Sequence, residues 1–529
     1  MSRFTVELKQ RIRGLSLLTL TEVQWFIGFF VAAIVLWGVA LGNVPLRDWD
    51  EGTRALVARE IYRTGNWLYP TFQGEPYLLK PPLMDWLIAI SYRLGGVTEF
   101  TTRLPGAFFS ACGVPLLYLL ARAIFLEQLP AIFAACVYLT LLPVVRHGRL
   151  AMLDGMVVSF FLLLLFCLLK SREDRRWALG VGLCLGAIAF IKGLLVVPLA
   201  AIAGTFLLVD RQLALLKSPY FWLGILLGNL PIVAWYAVQW QHYGTTFLQV
   251  HFQSQGLERI SQAVEGHHRP PWFYLLELLK YTFPWLLFWP GGLYLAWQKR
   301  STSWGALVII GTVGYLGVIS VMKTKLPWYI MPLYPFFALA VAAQLTKLWQ
   351  SRDKYPRFLI GMLGLLILVG LLGSVYFVLA DPQPVLIIMG GVVALTMGIA
   401  AWKVKHSNRV FIPILFAGMY LTLGLLMISK SWVWELNEAF PVKPVAALIQ
   451  EKTGAKAVVY TSFSYRRPSL DFYSDRRVVP TDTTTLQKLW STQSYFLLNQ
   501  STLAALQLPD SVYLGTVEGF TLVTHNSQY

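Results

Sequence analysis

The sequence predicts an α-helical polytopic membrane protein with a small α/β domain at its C-terminus. Three features carry that prediction. The chain is 56% hydrophobic and only 13% charged, a balance foreign to soluble globular domains. Apolar runs of roughly 17 to 25 residues, each long enough to cross a bilayer, recur through residues 1–430. Over 431–529 the pattern changes to short segments that alternate between strand-like and helix-like.

Thirteen runs read as spans: 23–44, 104–125, 129–145, 152–169, 177–191, 193–209, 220–240, 273–297, 304–322, 328–345, 358–380, 385–402 and 410–429. The first follows Arg3, Lys9, Arg11 and Arg13 and is longer than the apolar region of a cleavable signal peptide. It therefore reads as an uncleaved anchor with a cytoplasmic N-terminus. Cys112, Cys136, Cys167 and Cys184 all lie inside apolar runs, so no exposed disulfide framework or metal-ligand spacing exists. The net charge of +17 would suit nucleic acid, but no basic domain gathers it. A lipid bilayer surface or an anionic substrate fits the scattered Lys and Arg better.

Thirteen crossings from a cytoplasmic N-terminus put the C-terminus outside. Lys and Arg are then roughly twice as dense in the cytoplasmic connections as in the outer ones, in keeping with the positive-inside rule. Every polar cluster falls on the outer side: 47–86, "RHGRLAMLD" (146–154), "IKG" (191–193), "LERISQAVEGHHRPPWFY" (257–274) and "KTKLPWY" (323–329). Cations kept on the disfavoured face point to a site there.

The first outer connection, 45–103, is too long for a simple hairpin. Asp48 or Asp50 can cap a helix running from Glu51 to about Thr64, with Gly65 as its stop. "PPLMDWLIAISYRLGG" (81–96) then gives an apolar helix of about 14 residues from Pro82, too short to span and suited to the interface. A second large outer connection covers 241–272. In the C-terminal domain "AKAVVYTSF" (455–463), "SYFLLNQ" (494–500) and "SVYLGTVEGFTLVTHN" (511–526) read as strands, "PVKPVAALIQEK" (441–452) and "TTTLQKLW" (483–490) as helices.

Asp48-Trp49-Asp50-Glu51 sets three carboxylates in four residues. They can bind a divalent cation, supply a general base for a hydroxyl group, or cap a helix, although a cap needs only one. Lys80 is fixed by Pro81 and Pro82, which suits a lysine meeting a fixed anion; snorkelling is the alternative. Lys192 interrupts an apolar run, and the cost of a buried ammonium places it at a polar cavity or headgroup. Arg259, His267, His268 and Arg269 lead into a rigid aromatic end, as an interfacial anchor or a phosphate or sugar contact. The paired histidines lack evident further metal ligands. Lys323, Lys325 and Tyr329 cluster at a span start, for anchoring or for binding. Asp154 either pairs with Arg146 or Arg149 or serves an acceptor.

"GVGLCLG" (180–186) looks like a dinucleotide loop but lies within an apolar run, where Gly182 and Gly186 suit helix packing. The chain has no P-loop, Ser-His-Asp arrangement or His-Glu-x-x-His helix. Any activated donor is then expected to be one met outside the cell, such as a lipid-linked one.

These residues, taken in order, resemble the GT-C glycosyltransferases of the aminoarabinose transferase and protein O-mannosyltransferase group. The shared features are "WDEGTR" (49–54), "GNWLYPTFQGEPYLLKPPL" (65–83), "RLPGAF" (103–108), "MLDG" (152–155), "IKG", "HRPPWFY" (268–274) and "KTKLPWYIMPLYP" (323–335), over about residues 20–340. The resemblance implies a GT-C fold in the bacterial inner membrane, with the site and the C-terminal domain periplasmic. It also implies inverting transfer of a sugar from a polyprenyl phosphate to a hydroxyl of a lipid, glycan or protein. Asp50 then corresponds to the general base or acceptor-orienting carboxylate and Asp154 to a second acidic site residue. Lys80, Lys192, Arg259 and Tyr329 resemble the groups around the donor phosphate, with Glu51, Arg54, His268 and Lys325 as further substrate-binding residues.

One position departs from the family. Aminoarabinose transferases carry Glu before the lysine of the KP turn, where this chain has Leu79. That Glu and the loop histidine resemble a metal-binding pair, so its loss argues against a tightly bound divalent metal and against aminoarabinose as the sugar. No other cofactor is implied. A transporter or flippase for a lipid-linked sugar is the competing reading; it would set ionisable groups mid-membrane in repeated halves, whereas these gather at one face. An assembly scaffold using the outer domain is a third.

Overall fold

The computed structural model describes residues 20–48, 50–262, 269–351, 353–434, 440–490 and 495–525. It divides into two compact units. The first comprises Met1–Leu41, Leu78–Met84 and Leu104–Trp432; the second comprises Gly42–Tyr77, Asp85–Arg103 and Val433–Tyr529.

The first unit is helical, and each apolar run of the sequence falls on helix. Among the described residues nine helical segments are long and apolar enough to cross a membrane, ten if the bent pair Gln128–Leu139 and Leu142–Arg149 forms one span. The difference from thirteen has local causes. The Asp154–Lys170 helix has 17 residues, shorter than any of the nine though still within the roughly 17 to 25 that can span. Runs 177–191 and 193–209 join through one tight turn into a single helical stretch, Arg175–Val209. Run 273–297 is interrupted between Phe273–Tyr281 and Trp289–Gln298, where Pro284 and Pro290 cannot donate to a continuing helix.

Helices Ala178–Lys192 and Pro219–Tyr243 cross with their backbones in contact. A Cβ on Gly182 would strike Ile225, one on Gly186 would strike Gly228, and Gly224 and Gly228 face Leu179 and Gly182 in return. The glycines at 182 and 186 are thus packing residues, as expected. Arg149 does not pair with Asp154. Its guanidinium donates to Leu36 O at 2.8 Å and Val39 O at 2.7 Å, satisfying carbonyls that the end of the first span leaves open. Arg146 Nε donates to Trp432 O at 2.8 Å.

The second unit holds a five-stranded sheet. Its strands are β1 (Val458–Thr461), β2 (Arg477–Pro480), β3 (Tyr495–Asn499), β4 (Ser511–Val517) and β5 (Phe520–His525). The order is β2-β1-β3-β5-β4, with β1 parallel to β2 and β3 and the remaining pairs antiparallel. Alternation along β3 sends Leu497 to one face, with Val459, Val478 and helix Val442–Lys452. Phe496 and Leu498 go to the other face, with Leu486 and Trp490.

Helix Asp50–Thr64 begins on Asp50 and Glu51 and ends near Arg63, charges that complement its dipole. Gly65, at φ 71°, stops it as the sequence indicated. Asp48 does not cap this helix, because Arg467 and Ser469 occupy its carboxylate. Glu51 instead accepts from Arg47 N at 2.7 Å. Helix Leu83–Gly95 follows. It buries Met84, Ile88 and Tyr92 while leaving the apolar Ile90 and Leu94 exposed, a surface suited to contact with lipid.

Candidate active site

Helix Ala178–Lys192 stops because Gly193 takes φ 56°, which leaves the Lys192 side chain at a helix C-terminus where a cation is favoured. Its Nζ lies 2.6 Å from Asp154 Oδ1, with 13% and 4% of the two side chains exposed. Asp154 opens the helix Asp154–Lys170. Lys192 Nζ also stands 5.4 Å from the centre of the Tyr329 ring, and Arg259 donates to the Tyr329 hydroxyl at 2.9 Å. Tyr329 is carried on the turn Pro327–Leu333 and held there by Tyr315, whose hydroxyl donates to Tyr329 O at 2.8 Å. Thr324 N donates to Arg259 O at 3.2 Å, which ties the two loops together. Asp154, Lys192, Tyr329 and Arg259, distant in sequence, thus form one chain of contacts in the first unit.

Lys80 is half-buried. The turn before it is pinned by His251, whose Nδ1–H donates to Leu78 O at 3.2 Å while Nε2 accepts from the Tyr236 hydroxyl at 3.0 Å. A Cβ on Gly193, beside Lys192, would stand 3.3 Å from His251 Nε2. His251 therefore touches both the Lys80 turn and the end of the Lys192 helix. Lys325 turns its ammonium onto Met322 O and is 4% exposed. His268 lies outside the described residues.

His251 and Tyr236 escaped the sequence reading. The motif that drew notice was His267-His268 before the prolines; "QVHFQ" (249–253) has no charge or turn signal of its own. Only its tertiary contact with Leu78 O gives it away. Burial holds the His251 imidazole down at about 4, with the Lys80 charge acting in the same direction. Between roughly pH 6.5 and 4 the unfolded chain binds a proton here that the folded chain does not. Stability is therefore full above the unfolded value and falls as pH drops toward 4, by up to about 3 kcal/mol. Thermal unfolding across that range should show a flatter pH dependence in His251→Gln than in the wild type; an unchanged slope refutes the assignment.

Asp50, Glu51 and Arg54 belong to the second unit. Glu51 is 1% exposed and receives Arg103 Nε and Nη2 at 2.9 Å each. Arg54 is 3% exposed, donates from Nη1 to both Asp85 carboxylate oxygens at 3.1 and 2.8 Å and lies 4.7 Å over the Tyr77 ring. Asp50 is exposed. The metal pair implied by the family does not fit these residues. The Leu79 side chain offers no donor atom, and the loop histidine of that pair, His268, lies outside the described residues.

A family model described as dolichyl-phosphate-mannose-protein mannosyltransferase matches residues 79–237. Undecaprenyl phosphate-alpha-4-amino-4-deoxy-L-arabinose arabinosyl transferase 1 of Pseudomonas fluorescens is 27% identical over 449 residues, 80% of each chain. The enzyme of that name from Pectobacterium carotovorum subsp. carotovorum is 30% identical over 396 residues, 72% of this chain and 70% of the relative. In fold, the chain matches ArnT from Cupriavidus metallidurans, solved bound to undecaprenyl phosphate. The TM-score is 0.76 at 19% identity, over 94% of this chain and 98% of that one. On the sequence match over most of both chains, this protein belongs to the aminoarabinose transferase and protein O-mannosyltransferase group of GT-C glycosyltransferases.

Proposed function

We propose that the chain transfers a sugar, with inversion, from a polyprenyl-phosphate donor of the undecaprenyl type to a hydroxyl acceptor at the outer face of the inner membrane. The observation that supports this best is the contact chain Asp154–Lys192–Tyr329–Arg259. As the anomeric C–O bond breaks, the sugar becomes cationic and negative charge grows on the departing phosphate. Lys192 and Arg259, with Lys80, supply fixed positive charge for it. Donors held in place at a partly dry site stabilise that growing charge more than the ground state. Asp154 keeps the Lys192 ammonium oriented. Asp50 takes the acceptor proton late, when the new glycosidic bond has largely formed. The acceptor is a hydroxyl of a lipid, glycan or protein.

The purified protein, given labelled polyprenyl-phosphate sugars and envelope lipid or glycan acceptors, should move label into a new product detected by mass spectrometry. Label that crosses proteoliposomes while remaining on the polyprenyl carrier would overturn this reading in favour of a flippase.

A further inference from the structure

The segment "RRPSLDFYSD" (466–475) of the C-terminal domain reaches the helix that carries Asp50. We propose that the domain is a positioning clamp for that helix; this rests on the reading of Asp50 as the base. Every contact in the argument lies within the second unit.

Four points of attachment fall along Asp50–Thr64 and the residues leading into it. Asp48, with 3% of its side chain exposed, accepts from Arg467 Nη1 at 2.6 Å, from Ser469 N at 3.3 Å and from the Ser469 hydroxyl. At Gly52 a Cβ would stand 2.8 Å from Ser469 N and 3.1 Å from Pro468 Cβ, so helix Pro468–Ser474 is seated against bare backbone. Arg59 donates to Phe472 O at 2.6 Å and lies 5.1 Å over the Phe472 ring. Arg63 forks onto Asp475 at 2.6 and 3.2 Å.

Positions 52, 59 and 63 are spaced by seven and four residues and share one helix face. Asp50, two residues from Gly52, points roughly 200° away from that face at 3.6 residues per turn, and it is exposed. The clamp grips the back of the helix and leaves the carboxylate open. Arg467 is itself held ready. Its guanidinium lies 4.0 Å from the Phe440 ring and 5.1 Å from that of Phe463, and Nη2 donates to the Tyr465 hydroxyl at 2.8 Å. A cation fixed in an aromatic cage loses little freedom in pairing with Asp48.

A carboxylate displaced by about 1 Å loses on the order of 100-fold in rate without affecting what binds the donor. Arg467→Ala in the full-length protein should therefore lower kcat by roughly 10- to 100-fold with donor Kd unchanged, and Arg467→Lys should recover part of it. Hydrogen exchange at amides 50–64 should quicken in Arg467→Ala and in the milder Ser469→Ala, which covers the case in which the alanine at 467 folds poorly. Unchanged kcat, or a loss of donor affinity equal to the loss of rate, overturns the clamp, as does unchanged exchange in both variants. Asp50→Asn measured alongside separates the two ideas. If it stays active the base assignment fails, whereas exchange at 50–64 still judges the clamp.

Discussion

Asp50→Asn should lose transfer by roughly 10²- to 10⁴-fold while binding the donor as the wild type does. Asparagine keeps the shape and removes the basicity, so the loss isolates proton removal from packing. The neighbouring acids cannot substitute. Asp48 is occupied by Arg467 and Ser469, and Glu51 is buried against Arg103 with both oxygens engaged. Of these three carboxylates only Asp50 is exposed. The same geometry bears on the cation reading of the acidic run, because the Asp48 and Glu51 carboxylates face different partners, Arg467 with Ser469 and Arg47 with Arg103, while Asp50 is exposed. Glu51→Gln is the instructive contrast. It leaves Arg103, fully buried, short of its counter-charge, a loss of about 3–5 kcal/mol that should appear as poor folding rather than slow chemistry. Donor affinity by fluorescence or calorimetry, beside initial rates, distinguishes the two variants. Wild-type turnover by Asp50→Asn would remove the base assignment.

What could be read from the sequence was local. Apolar run length located the membrane helices, and short strand-like stretches located most strands of the sheet. Glycine spacing gave a helix contact, later found at Gly182 and Gly186. Pairings were another matter. The sequence offers Asp154 either a nearby arginine or an acceptor; of the pairings, the one formed is with Lys192, 38 residues on, while Arg149 serves the carbonyls of the first span. Helix Pro468–Ser474 and strand Arg477–Pro480 were missed. The former holds a buried, polar, proline-led turn around Asp471, which accepts from Val478 N at 2.7 Å, and such a turn has no apolar period. Lys192 stands out because a charge inside an apolar run is costly, Lys80 because two prolines fix it, and Asp50 because three carboxylates crowd four positions. His251 is neutral, and nothing local sets it apart.

Lys192→Ala should have the second large effect, and its meaning depends on a partner variant. The substitution removes a cation from the phosphate, an effect of about 10²- to 10³-fold on transfer for one preorganised donor. It also leaves Asp154, 4% exposed, as a buried carboxylate without its ammonium, which destabilises by roughly 3–5 kcal/mol. A fall in activity alone therefore proves nothing about phosphate. The double variant Lys192→Ala with Asp154→Asn removes both charges, so folding, followed by the thermal midpoint, should recover much of its loss through the coupling expected of residues in contact. Transfer and donor affinity should not recover, since no cation has returned to the donor. If the double variant regains transfer along with stability, Lys192 is only the counter-ion of Asp154. The phosphate is then left to the other cations of the site, Arg259 and Lys80 among them.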